Sequence, residues 1–328
     1  MKTYLSIAVL LVGLLLSTAP APLAAGKRLV VGYMGGLCEG PLHIAIEKGF
    51  FAEEGLDVEA LKLAPGTNFE AVTAGRIDAS FGLLATLVQP LSNGLPIKIT
   101  SGLHTGCDKV LVPATSSVKT LADLKGKRIG VPSLTSSPIM FAKRALAAAG
   151  VKVGDKNSEV DFIVFSNAEL PLALQRGAVD ALAANDPVAS VAAKADNLTI
   201  LVDSAVTPPY NTQYCCAAYV SAKLAANEPD TAARYTRAMQ KAAAWIQNNQ
   251  DEAARIQVEK KYVAGDAVFN AGVLKTFNYI PSVKGAYDAF GTTAQELQSI
   301  GILNETVDVA KLRENSFILL PGVQDSIQ

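Results

Sequence analysis

The sequence has no basic run. Its 29 Lys and Arg face 30 Asp and Glu, a formal charge of −1, and that balance argues against nucleic acid as a partner. Beyond Leu16 it has no apolar stretch long enough to span a bilayer. Aromatic residues are few, at 6%, and alanine-rich helical segments are many, which fits an ordinary globular protein. Cysteine is absent before Cys38, so a lipoprotein anchor has no attachment point and no lipobox is expected.

The N-terminus has the layout of a secretory signal. Lys2 gives the positive start, Leu5 to Leu16 is an apolar run, and Leu23-Ala24-Ala25 before Gly26 is a cleavage site. Residues 1–25 are expected to be removed, leaving an exported chain with no stable membrane insertion. About 300 residues remain, enough for two α/β domains with separate cores.

Val30 to Tyr33 reads as a buried strand followed by a glycine-rich turn. Pro41 suits the first turn of a helix, because its missing N–H would have no partner there. Leu42, Ile44, Ala45 and Ile46 give that helix an apolar face, Gly49 and Gly55 supply left-handed stops, and Asp57 to Leu61 begins a second strand. This is a βαβ unit, and its loop opens at the carboxyl edge of the sheet, where α/β proteins bind ligands.

Strands and helices alternate through the first two hundred residues, which predicts doubly wound sheets. Strands are expected at Ile77–Phe81, Ile97–Thr100, Val110–Val112, Ile129–Val131, Asp161–Phe165, Val179–Ala183 and Tyr214–Val220. Helices are expected at Leu83–Leu91, Ile139–Ala149, Ala168–Arg176, Pro229–Asn248, Glu252–Val263 and Thr292–Ile300. Gly75-Arg76-Ile77-Asp78-Ala79 and Gly177-Ala178-Val179-Asp180-Ala181 echo each other, which fits two similar lobes. Pro208-Pro209 stiffens a probable connection between them.

The run Gly49-Phe50-Phe51-Ala52-Glu53-Glu54-Gly55-Leu56-Asp57-Val58-Glu59 resembles the opening of ABC-importer solute-binding proteins of the nitrate/sulfonate/taurine family. That family is related to the pyrimidine synthases of thiamine biosynthesis. Leu121-Ala122-Asp123-Leu124-Lys125-Gly126-Lys127-Arg128-Ile129-Gly130-Val131 is similar to the usual wording at the start of its second lobe. The resemblance implies an α/β, type II periplasmic-binding-protein fold of two doubly wound lobes joined by two hinge crossings. Residues 26–112 and 213–328 would form lobe 1, and 113–212 lobe 2. Trp245, Ile246, Ile256 and Val258 would pack the helical tail against lobe 1.

The solute would then lie between the lobes. Leu37, Cys38 and Glu39 precede the first helix and Thr67 and Asn68 the second, while Leu83 opens the helix Leu83–Leu91. In the second lobe Thr135, Ser136 and Ser137 precede the long helix, Asn167 a shorter one, and Asn185 and Asp186 follow the last internal strand. Helix-start N–H groups attract anions, and hydroxyls and amides add donors. The same residue types are also ordinary helix caps. Phe69, Phe141 and Tyr214 suit either stacking on a flat ligand or core packing.

Four cysteines remain: Cys38, Cys107, Cys215 and Cys216, with His43 and His104 near them in sequence. In an exported chain an even count favours disulfides, with Cys107 reaching Cys215 or Cys216. Adjacent Cα atoms lie only about 3.8 Å apart, so a Cys215–Cys216 bond would be strained. The rival reading is a soft-metal site drawn from Cys38, His104, Cys107, Cys215 and Cys216. Both stay open, and His104, Cys107, Tyr214 and Cys215 join the solute-contact candidates.

The resemblance implies a periplasmic, monomeric receptor without cofactor or turnover. It would deliver a small anionic (nitrate, sulfonate or carboxylate) or heteroaromatic solute to an ABC permease and its ATPase subunit. The alternatives are an iron-dependent pyrimidine-synthase-like enzyme using the cysteines, and a ligand-sensing subunit of a signalling receptor.

Overall fold

Short apolar runs such as Val110 to Val112 and Ala181 to Ala184 call for burial on both faces, and each lies in a sheet covered on both sides by helices. The computed structural model describes residues 27–64, 66–154 and 157–327, and the expected signal segment 1–25 lies outside them. The first sheet contains β1 (Lys27–Tyr33), β2 (Leu56–Lys62), β3 (Ala79–Leu83), β4 (Ile97–Thr105) and β10 (Tyr214–Ser221), in the order β2-β1-β3-β10-β4. The second contains β5 (Asp108–Pro113), β6 (Arg128–Val131), β7 (Asp161–Val164), β8 (Ala181–Asn185) and β9 (Leu198–Asp203), in the order β7-β6-β8-β5-β9.

The two orders are the same pattern. Each sheet has one strand antiparallel to both its neighbours, and that strand has just crossed from the other lobe: β5 going out, β10 returning. Sheet membership corrects the expected lobe boundary. Val110 pairs with Ala183 and Val202 in the second sheet, so the chain leaves the first lobe at Gly106–Cys107, not after Val112. The return runs between Ser204 and Gln213 and includes the expected proline pair.

The helical tail closes one face of the first sheet. The helix Pro229–Gln247 buries Ala232, Tyr235, Met239, Ala242 and Ile246, an alternating three- and four-residue spacing that draws one stripe against Leu29, Val31 and Leu42. Ile256 joins this cluster, while Trp245 is half-buried with the Lys48 ammonium 4.9 Å from its ring centre, and Val258 is half-buried. On the opposite face lie Leu84, Leu87, Ile99, Tyr219 and Phe290.

The tail departs from the sequence reading in several helices, among them Ala222–Asn227 and Val309–Ser316, which were not expected. The helix expected over Thr292–Ile300 begins at Val283, where Ser282 Oγ accepts from Gly285 N at 2.8 Å. Gly285 in its first turn is there for closeness: any Cβ would run into the Tyr214 ring. The helix Ala267–Leu274, capped by Asp266, was not expected.

Candidate functional site

Residues that follow the carboxyl ends of β1, β3, β6 and β8 meet in one cleft between the sheets, enclosing about 1050 Å3 counted to its open mouth. The first wall is the loop after β1. Gly35, at φ +96°, lets the chain turn so that Glu39 folds back over it. The Glu39 carboxylate accepts from Met34 N at 2.9 Å, from Gly36 N at 2.8 Å, and from Gly35 N. The side chain is buried, and burial pushes its carboxyl up to about 7 against the pull of those amides. The glycine-loop amides expected to be free for an anion therefore already hold one of the protein's own.

Cys38 lines this wall, but Leu37 does not. Leu37 is fully buried in the core, and its N–H donates to the Asp186 carbonyl of the other lobe at 3.4 Å. At the next loop, Thr67 also stands outside the wall, its hydroxyl donating to Ala64 O at 2.9 Å. Asn68 lines the cleft and donates from Nδ2 to Tyr219 Oη at 3.1 Å, with Phe69 beside it. Leu83 lines the cleft from the end of β3.

The facing wall belongs to the second lobe. Ser133, Thr135, Ser136 and Ser137 lead into the helix Ser137–Ala148, and no side chain caps its start. Its first-turn N–H groups remain for a solute acceptor or water. Asn167 and Asn185 add side-chain amides.

Asp186 also borders the cleft, but its fully buried carboxylate is committed elsewhere. It accepts from Ser190 N at 3.0 Å and pairs with Lys109 Nζ, which also lies 3.4 Å from Asp203. The expected solute contact is instead a buried ion pair. Asp186 and Glu39 are thus the charged residues of the cleft, and among the described residues lining it there is no Lys, Arg or His.

Other expected residues lie away from the cleft. His104 is fully buried between Phe277 and Tyr279, with ring centres at 5.6 and 4.8 Å, and its Nε2 is 3.1 Å from the Cys38 carbonyl oxygen. Burial lowers its pKa to about 4. It is packed in the core, outside the cleft lining. Tyr214 donates to the Ile280 carbonyl and borders, with Cys215, a second, small cavity of about 30 Å3. Cys107 is buried, with Sγ 3.1 Å from Cys215 Sγ. None of the four cysteines is joined by a disulfide in this structure, and the expected Cys107–Cys215 pair is a close contact. Cys216, on the other face of β10, does line the cleft.

Sequence reasoning missed Met34, Thr86 and Val188 in the cleft wall. Thr86 sits inside the helix Leu84–Ser92 with its hydroxyl donating to Leu83 O at 2.8 Å, and no sequence signal separates it from its neighbours.

Relatives share this architecture. A putative aliphatic sulfonates-binding protein of Bacillus subtilis is 27% identical over 289 residues, covering 85% of this chain and 83% of its own. A putative thiamine biosynthesis protein of Haemophilus influenzae is 32% identical over 148 residues, 43% of this chain and 45% of its own, so the match spans less than half of that relative. Among solved structures, the periplasmic nitrate-binding protein NrtA of Synechocystis PCC 6803 superposes with a TM-score of 0.76 at 18% identity, covering 89% of this chain and 86% of that one, which speaks to the fold. The family described as NMT1/THI5 like matches residues 39–253, and the chain belongs to that family.

Proposed function

We propose that this chain is the extracytoplasmic solute receptor of an ABC importer, and that its solute is a small uncharged planar molecule bearing both donors and acceptors, such as an amide-containing heterocycle. The observation that carries this reading is the cleft wall. It offers amides and hydroxyls from both lobes, one uncapped helix start, the Phe69 ring and, among the described residues, no cationic side chain. A nitrate or sulfonate would enter beside the Glu39 carboxylate, with the loop amides already taken.

The names of the relatives support a binding role. The two crossings supply a hinge, so that a solute touching both walls favours closure. A monomeric exported receptor would hand the solute to a permease and its ATPase subunit. The enzyme reading has less support, because Cys107 and Cys215 lie outside the cleft wall and both histidines are buried in the core.

A thermal-shift panel on the mature chain tests this. A ligand at a hundred times its Kd adds about 2.7 kcal/mol of stability. Uracil- and pyridone-type heterocycles are expected to raise Tm, with nitrate and alkanesulfonates at the same concentration leaving it unchanged. A shift with the anions alone overturns the reading.

A further inference from the structure

The two interlobe crossings converge on a cluster of donors that the solute cleft does not use. Cys107 and Asp108 lie on the outgoing crossing, and Cys215 opens β10 directly after the return. The Cys107 and Cys215 sulfurs and an Asp108 carboxylate oxygen all lie within 4.8 Å of one another.

Asp108 is 3% exposed. Its Oδ2 accepts from Ser137 Oγ, while its buried Oδ1 has no hydrogen-bond partner. A buried carboxylate oxygen without a donor is destabilising. A Cys107–Cys215 disulfide would leave it so, whereas a cation would satisfy it. Cys107 also holds φ +148°, a conformation that glycine adopts more readily, yet the chain places a thiol there. A small cavity of about 30 Å3, bordered by Asp108 and Cys215, provides an approach.

We propose that Cys107 Sγ, Cys215 Sγ and the Asp108 carboxylate form a binding site for a zinc-class divalent cation, with solvent completing its coordination. Two thiolates and a carboxylate suit a borderline-soft ion of tetrahedral habit, and sulfur is a poor partner for magnesium or calcium. Binding is balanced by proton release: the zinc ion forms two Zn–S bonds, each thiol loses its proton to solvent, and no electron is transferred. The ion ties the outgoing crossing to the returning strand, so it bears on hinge motion. The site does not depend on the identity of the solute.

The test is zinc binding to the reduced, full mature chain, measured by metal analysis after gel filtration and by competition with a chromogenic chelator. One zinc per chain is expected. Cys107→Ser and Cys215→Ser should each weaken it at least tenfold, Asp108→Asn should also weaken it, and Cys216→Ser should retain it. Cobalt substituted for zinc should give sulfur-to-cobalt charge-transfer absorption that disappears in Cys215→Ser, and circular dichroism verifies that each variant is folded. Three results overturn the proposal: no zinc above background, affinity equal to the parent's in the folded Cys107→Ser or Cys215→Ser variant, or exported protein isolated with Cys107 and Cys215 joined as a disulfide.

Discussion

Asp78 and Asp180 make the same hydrogen bonds in the two lobes. Asp78 Oδ2 accepts from Val30 N at 2.9 Å while its own N–H donates to Val30 O at 2.8 Å. Asp180 Oδ2 accepts from Arg128 N at 2.9 Å, and its N–H donates to Arg128 O at 2.8 Å. The sequence echo around Gly75 and Gly177 is therefore a shared device that fixes an incoming strand against its neighbour. Replacing either aspartate with alanine removes one backbone-to-carboxylate bond and should cost about 1–2 kcal/mol. Urea unfolding should give similar losses for Asp78→Ala and Asp180→Ala. The additional Arg128–Asp180 ion pair is partly exposed and should add little.

Removing the Glu39 side chain frees the loop amides. Glu39→Ala should lower stability by about 1–3 kcal/mol, because several amide donors lose their acceptor in a half-buried loop. It should also create a place for an anion, so nitrate or sulfate should raise the variant's Tm and leave the parent unchanged. A variant as stable as the parent and indifferent to anions would contradict the assigned role of Glu39.

Lys109 is paired with Asp186 and Asp203 in a nearly dry setting. Lys109→Met strands a fully buried carboxylate and should cost about 3–5 kcal/mol. Combining it with Asp186→Asn should recover part of that loss, since the stranded charge is then gone. Chemical unfolding of both single variants and the double variant measures the coupling.

How much was legible in the sequence follows from how local each signal is. Gly49 at φ +76°, Gly55 at φ +67° and Pro41 in the first helical turn act within a few residues, so the opening βαβ unit could be read directly. Val110–Val112 reads as a buried strand in either lobe, and only its pairing with residues far along the chain assigns it to the second sheet. The cleft divides in the same way. Thr135, Ser136, Ser137 and Asn185 follow strand ends and could be placed by topology. Asp186 and His104 looked equally available, but Lys109, Phe277 and Tyr279, which enclose them, are distant in sequence.

His43 gives stability a defined pH dependence. Burial lowers its pKa to about 4, whereas in the unfolded chain it titrates near the free value of about 6.5. Below about pH 6.5 the unfolded state takes up a proton that the folded state refuses, so this contribution is full above that pH and lost as pH falls toward 4. The loss from this group should reach about 3 kcal/mol. Urea midpoints at pH 7 and pH 4.5 should lie closer together in His43→Gln than in the parent, and equal spacing would contradict the assignment.

The central claim is that the cleft selects an uncharged solute because Glu39 occupies its anion-binding loop. Titration calorimetry of the mature chain, with uracil- and pyridone-type heterocycles in one series and nitrate and an alkanesulfonate in the other, tests it most directly. The expected result is saturable heat from at least one heterocycle, lost in Asn185→Ala, and none from either anion. Saturable binding of nitrate or the sulfonate to the unaltered chain, tighter than that of any heterocycle, would contradict it.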